Sequence, residues 1–259
     1  LNPAGDRFAF SQKVGGNANE DQEIFTMGID DRIPQRLTDN RLWDIYPAWS
    51  PDGTRIAFLS WRKSSLGIYV MDANGEQINE LYDSEFHDSD IHWSGNLIAL
   101  TRNSQIWIMN DDGSDAHQLT QPPCAGEWGN ANLPLGDYDP RISPDGSQVV
   151  FERMVEDRSS HGNYDLYKID TDGSNLTHLT ETGYSQGLAS WSHAGDRIVY
   201  IVAAQDDVEK FDIYIMNADG TKNENITPAY FPPEFLCHWA IFSREDMKLY
   251  FIGELWSQE

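Results

Sequence analysis

The sequence predicts an all-β fold, a β-propeller built from four-stranded antiparallel blades. Three observations predict it. First, a turn phrase followed by an apolar run recurs: NPAGDRFAF from Asn2, SPDGTRIAF from Ser50, SGNLIAL from Ser94, SPDGSQVVF from Ser143, SHAGDRIVY from Ser192 and SREDMKLYF from Ser243. These copies lie 44 to 51 residues apart, the period of a repeat architecture. Second, another phrase recurs five times between them: EIFTMG from Glu23, GIYVMD from Gly67, QIWIMN from Gln105, DLYKID from Asp165 and DIYIMN from Asp212. Third, aromatic residues make up 12% of the 259 residues, with nine Trp and eleven Tyr, which favours sheets; no helical period is needed anywhere.

Each repeat reads as four strands, a to d. Strand a ends at Trp49, Trp93, Ile142, Trp191 or Phe242. The Pro-Asp-Gly turn then leads into strand b, the Ile-Ala-Phe type of run. Strand c is the Ile-Tyr-x-Met run, alternating with period 2. A tight Asp/Asn-x-Asp/Asn-Gly turn, whose Gly accepts positive φ, leads to a short strand d of the Gln-Leu-Thr type. Four such strands per repeat, arranged radially, describe propeller blades. Units begin near residues 2, 47, 91, 140, 189 and 239 of a single domain spanning 1–259. Counting the turn phrase predicts six blades with the first and last incomplete. The chain starts at strand b of the first unit and stops soon after strand b of the sixth. Three closures follow: the a–b pair over His238–Leu255 joins the N-terminal strands, the chain is part of a longer one, or the open strands pair with a neighbouring subunit.

The Ser-Pro-Asp-Gly phrase, followed by Ile-Tyr-x-Met-Asp-x-Asp-Gly and Leu-Thr, resembles the TolB-type propeller repeat, a relative of the WD repeats, over essentially the whole chain. That resemblance implies a six-bladed ring located in the periplasm or at the cell surface. Its motifs are specific for the fold and weak for function.

Composition bounds the partners. Forty-two acidic against 18 basic residues give a net charge of −24, which argues against a basic groove for nucleic acid. No apolar run reaches the ~18–20 residues that span a bilayer, so membrane insertion is not expected. The opening LNPAGDRF is not a signal peptide, consistent with a processed or trimmed chain. Cys124 and Cys237 are the two cysteines, too few for a disulfide scaffold and more in keeping with free thiols.

Candidate functional residues come from the loops that break the symmetry of the repeat. The a–b and c–d turns are short. The b–c and d–a connections are long, notably at 11–23, 121–137, 152–165 and 228–237, and long connections on a rigid scaffold carry binding. Asp44, Asp88, Asp90, Asp137 and Asp139 stand just before strand a in successive units and are expected around one rim of a central channel. Carboxylates so placed either stay solvated or gather a cation. No cofactor is required by the fold, and Ca2+, which takes ~6–8 oxygen ligands, is the ion such a rim would suit. His92, Arg141 and His238 are expected at the channel mouth, contacting a partner or an anionic or polar ligand. His87, His117, His161, His178 and His193 read as loop or turn residues. The Asp170-Thr-Asp172-Gly type of turn lacks the Glu that closes an EF-hand and reads as hairpin chemistry.

Catalysis finds no support in motifs. There is no Gly-x-Ser-x-Gly elbow, no phosphate-binding glycine loop and no HExxH. The leading expectation is therefore a non-enzymatic extracytoplasmic scaffold that binds a protein through the long-loop face and channel mouth. Two alternatives stand beside it: a surface polymer whose subunits complete each other's blades, with or without calcium, and a metal-dependent lyase or hydrolase working in the channel.

Overall fold

The computed structural model describes the chain except residues 16–20, 84, 129–132, 155–162, 205–209, 233–234 and 256–259. It divides into two compact units, Leu1–Asn103 with Trp107–His117, and Ser104–Ile106 with Gln118–Glu259.

In the first unit, β1 (Arg7–Lys13), β2 (Gln22–Gly28) and β3 (Pro34–Arg36) form a three-stranded antiparallel sheet. β4 (Asp44–Trp49), β5 (Arg55–Ser60), β6 (Gly67–Asp72) and β7 (Asn79–Tyr82) form a complete blade in sequence order. The next blade is β8 (Asp88–Ser94), β9 (Leu97–Arg102), β10 (Gln105–Asn110) and β11 (His117–Gln118). In the second unit, β12 (Gly136–Ile142), β13 (Gln148–Met154), β14 (Tyr164–Asp170) and β15 (Thr177–His178) make one blade. β16 (Ser185–Trp191), β17 (Arg197–Ala204), β18 (Lys210–Asn217) and β19 (Glu224–Asn225) make another, and β20 (Phe235–Phe242) with β21 (Leu249–Leu255) form a two-stranded hairpin.

The architecture is an all-β propeller of four-stranded antiparallel blades, but it has five blades where six are expected from the turn phrase. The sixth turn phrase builds the β20–β21 hairpin, and among the described residues β21 pairs with β20 alone. A blade requires strands c and d, and these come from the second phrase, which occurs five times. The blade number follows that phrase.

The recurrent residues have identifiable tasks. In the a–b turn Ser50 Oγ donates to Asp52 Oδ1 at 2.6 Å and accepts the Arg55 N–H at 2.9 Å, while the Thr54 N–H donates to Asp52 at 3.0 Å. Gly53 sits at φ +71°, where a side chain is strained. Ser143 and Asp145 repeat the arrangement. In the c–d turn the Ser174 N–H donates to Asp172, a local turn contact, in accordance with hairpin chemistry. The Thr of the Leu-Thr phrase has a further task. Oγ1 of Thr38, Thr120, Thr180 and Thr227 accepts the N–H of Ile24, Ile106, Leu166 and Ile213 at 2.8–3.0 Å, capping strand c where strand d has ended.

Apolar side chains fill the spaces between sheets. In the four-stranded blades strand b is buried over nearly its whole length, as in Ile56–Ser60 and Ile98–Arg102, because both faces of the sheet are covered. In the first unit Ile24, Ile56, Phe58 and Met71 form one cluster, and Leu59, Ile68, Ile91, Trp93 and Leu100 another. In the second unit Val150, Leu166, Trp191 and Tyr200 pack together, as do Val199, Ile213, Cys237 and Phe242.

One regularity is invisible in the phrases. Every strand a shifts register at the same place, between Ile45 and Ala48, Ser89 and His92, Tyr138 and Arg141, Gly187 and Ser190, and His238 and Ala240. The bulged residues Tyr46, Asp90, Asp139, Leu188 and Trp239 all adopt φ between 43° and 55°. Such a conformation is uncommon outside glycine, and a bulge re-aims side chains.

Candidate functional site

The inner strands position the expected site residues, and the bulge separates them into two kinds. Asp44, Asp88 and Asp137 precede the bulge. They lie within strand a rather than before it, and they are buried rather than on a solvated rim. Burial of a carboxylate demands a partner, and each has one. Asp88 receives Arg102 through Nε at 2.7 Å and Nη2 at 2.8 Å. Asp137 receives Arg153 in the same bidentate way, at 2.6 and 2.7 Å. Asp44 accepts the Ser60 hydroxyl, the Asn40 amide at 2.7 Å and Arg62 Nη2 at 3.0 Å.

The guanidinium groups are in turn sandwiched by rings. Arg102 lies 4.8 Å over Trp107 and 5.0 Å over Tyr82, and Arg153 lies 4.8 Å over Tyr167. Burial works to lower the Arg102 pKa, but the Asp88 bonds and charge outweigh it and raise it. At Asp137 burial is the larger effect and pushes the carboxyl up against the pull of Arg153. Asp88 and Asp137 therefore close buried ion pairs and Asp44 a part-buried one, each with the arginine of its own blade. Among the described residues no group of three or more His, Cys, Asp or Glu is placed to hold a metal ion.

Asp90 and Asp139 occupy the bulge itself. In the first unit Ser89 Oγ donates to Asp90 at 3.0 Å, and His92 is half-buried two residues on. In the second unit Asp139 binds Arg141 Nη2 at 2.7 Å, and the Arg141 guanidinium lies 4.9 Å over the ring of Trp239. The Arg141 carbonyl accepts Trp191 Nε1 at 2.9 Å. His238, next to Trp239, stands 5.3 Å from the Phe211 ring, with Nε2 3.6 Å from Glu254. The structure thus gathers Asp139, Arg141 and the His238–Trp239 pair at the bulges of the second unit.

Of the remaining histidines, His117 and His178 are in strands d, not in loops. His178 stacks on Tyr167 at 4.3 Å and bonds Asp165 at 3.0 Å. His161 lies outside the described residues. Cys124 is exposed and Cys237 buried, both free, and burial pushes the Cys237 thiol up.

Comparison with known proteins places this architecture. The family model described as the TolB beta propeller domain matches residues 1–127. An uncharacterized protein of Agrobacterium fabrum is 27% identical over 216 residues, 78% of this chain and 68% of that protein. TolB from Acinetobacter baumannii superposes with a TM-score of 0.69 at 16% identity, covering 96% of this chain and 64% of that one. The chain is similar to the TolB-type β-propellers, and the family match lies in its first 127 residues. The chain spans less than two thirds of the Acinetobacter TolB. An oligogalacturonate lyase solved with manganese shares the fold as well, at TM-score 0.61 and 13% identity, over 96% of this chain and 74% of the lyase.

Among the described residues eight aromatics are exposed, Tyr46 within β4, Phe251 within β21 and the other six in connections. Trp43, Phe86, Trp128, Tyr184 and Tyr230 lie in d–a connections and Trp61 in a b–c connection. The exposed residues of the short turns are aliphatic or Met: Ile33, Ile78, Leu176 and Met247. Motif reasoning passed over these aromatics because they belong to no phrase. The available signal was their position in the long connections. No helix among the described residues is long and apolar enough to cross a membrane.

Proposed function

We propose that this TolB-like propeller is a non-enzymatic scaffold of the periplasm or cell surface. In this reading it binds a protein partner through the b–c and d–a connections and the adjoining strand-a bulges. The observation that carries the reading is the gathering of exposed Trp and Tyr at those connections, since these side chains dominate binding energy at protein interfaces. Asp90, His92, Asp139, Arg141 and His238 would form the polar part of the surface. The TolB likeness supports the interaction role and the periplasmic location.

Site-specific photo-crosslinking in the source cells tests this. A crosslinker at Trp128 or Tyr230 should trap a discrete partner, and one at Met247 or Ile78 should not. Equal trapping from both sets, or none from the first, would overturn the reading.

A second reading is self-association by strand pairing. Phe251, Ile252 and Leu255 of β21 are exposed, whereas the corresponding strands β5 and β9 are buried over nearly their whole length. An uncovered strand is a template for another. A monomer by light scattering at all concentrations would exclude this reading.

A further inference from the structure

In the first unit three rings from three connections meet. Trp43 precedes β4, Trp61 follows β5 and His87 precedes β8. The Trp61 N–H donates to the Trp43 carbonyl at 3.0 Å, which fixes the two connections together. The two indoles stand 6.0 Å apart at 90°, and Trp61 lies 4.8 Å from the His87 ring. His87 Nδ1 accepts the Leu66 N–H at 3.2 Å, so the neutral ring carries its hydrogen on Nε2 and its orientation is set. Trp43 and Trp61 are each 40% exposed, and Phe86, next to His87 in the chain, is exposed as well.

A core does not require this corner, and its chemistry is specific. Indole faces attract cations, best of all the aromatic side chains. The unit that bears it carries 19 acidic against 9 basic residues. The two cations that follow Trp61 are already engaged, Arg62 by Asp44 and Lys63 by Glu80 and Asp83. Arg41 is exposed two residues before Trp43 and Glu85 two residues before His87. The same blade also seats its own arginine over aromatic rings, with Arg62 5.5 Å over Tyr69 and 5.9 Å over Phe58.

We propose that the corner of Trp43, Trp61 and His87 seats an arginine side chain of the protein partner. This deepens the interaction reading above and rests on it.

The test is calorimetric titration of the full chain with two peptides, one containing arginine and the other citrulline at the same position. Citrulline keeps the planar shape, exchanges one terminal nitrogen donor for a carbonyl oxygen and removes the charge. The arginine peptide should bind about 5-fold tighter or more. Trp61→Ala should abolish that advantage, Trp61→Phe should keep part of it, and Met247→Ala at a short turn should leave it intact. Trp43→Ala provides a second variant should Trp61→Ala lose its native circular dichroism. Equal affinity of the two peptides, an advantage that survives both Trp61→Ala and Trp43→Ala, or no binding of the arginine peptide would overturn the proposal. Those outcomes leave the crosslinking result untouched, so a failure here is distinguishable from failure of the interaction reading itself.

Discussion

The two ends of each blade are built by different rules. At the turn end Ser, Asp and Gly repeat because each satisfies a backbone requirement: Ser50 and Asp52 bond the turn amides and Gly53 takes the positive φ. At the connection end the sequence varies, yet two layers recur beneath it. The inner layer is the buried carboxylate–arginine pair of Asp44, Asp88 and Asp137, and the outer layer is the set of exposed aromatics. The difference teaches that repetition marks what folding needs, while binding chemistry is to be sought where the repeat lapses. It also shows that a carboxylate at the connection end need not be a ligand. At the equivalent place in β16 and β20 stand Gln186 and Cys237, both buried, so the position is a packing slot filled in several ways.

The comparison breaks most visibly at the inner layer. Arg102→Met or Arg153→Met strands a buried carboxylate and should cost about 3–5 kcal/mol in urea unfolding. A loss below about 1 kcal/mol would mean that Asp88 and Asp137 are solvated after all. Next, Thr180→Val removes the acceptor of the Leu166 N–H and should cost about 1–3 kcal/mol, read from the same unfolding curves. At the turn end, Gly53→Ala should cost about 1–2 kcal/mol through φ alone, since its Cβ would meet Pro3 at an ordinary 3.5 Å.

Acid should act mainly through the turn end. Hydrogen bonds from Ser50 and Thr54 hold Asp52 down at about 2, and similar bonds lower Asp112, Asp145, Asp172 and Asp219. A folded pKa below the unfolded one gives stability that is complete above about 4 and is lost as pH falls toward about 2. Asp52→Asn should therefore flatten part of the acid limb of the stability–pH curve, lowering stability at pH 7 and leaving it nearly unchanged below about pH 2.

The smallest effect concerns calcium. A site filled to about 1,000 times its dissociation constant would add about 4 kcal/mol and move the thermal midpoint by several degrees. With Asp44, Asp88 and Asp137 each held by arginine, exchanging EDTA for millimolar Ca2+ should leave the midpoint where it is.

Much of the fold was legible because turns and strand pairs are local. Ser50-Pro51-Asp52-Gly53 specifies its own hairpin, and Ile68, Val70 and their neighbours alternate within six residues. The blade number was misread because it was counted on the phrase that makes hairpins, not on the one that supplies strands c and d. The arginine partners were hidden because Asp88 and Arg102 meet through register across a bulge, which periodicity does not encode. The bulges themselves left no trace, since Tyr46, Asp90, Asp139, Leu188 and Trp239 share a conformation and no chemistry. The aromatic corner escaped for a similar reason: Trp43, Trp61 and His87 belong to three connections that only the folded blade brings together.

The most direct measurement is covalent footprinting of the protein in its source cells against the purified chain, read by mass spectrometry at Trp43, Trp61, Trp128, Tyr230 and Met247. The account predicts protection of the connection-end aromatics in cells with Met247 equally reactive in both. Protection of Met247 with reactive aromatics, or identical footprints throughout, would contradict it.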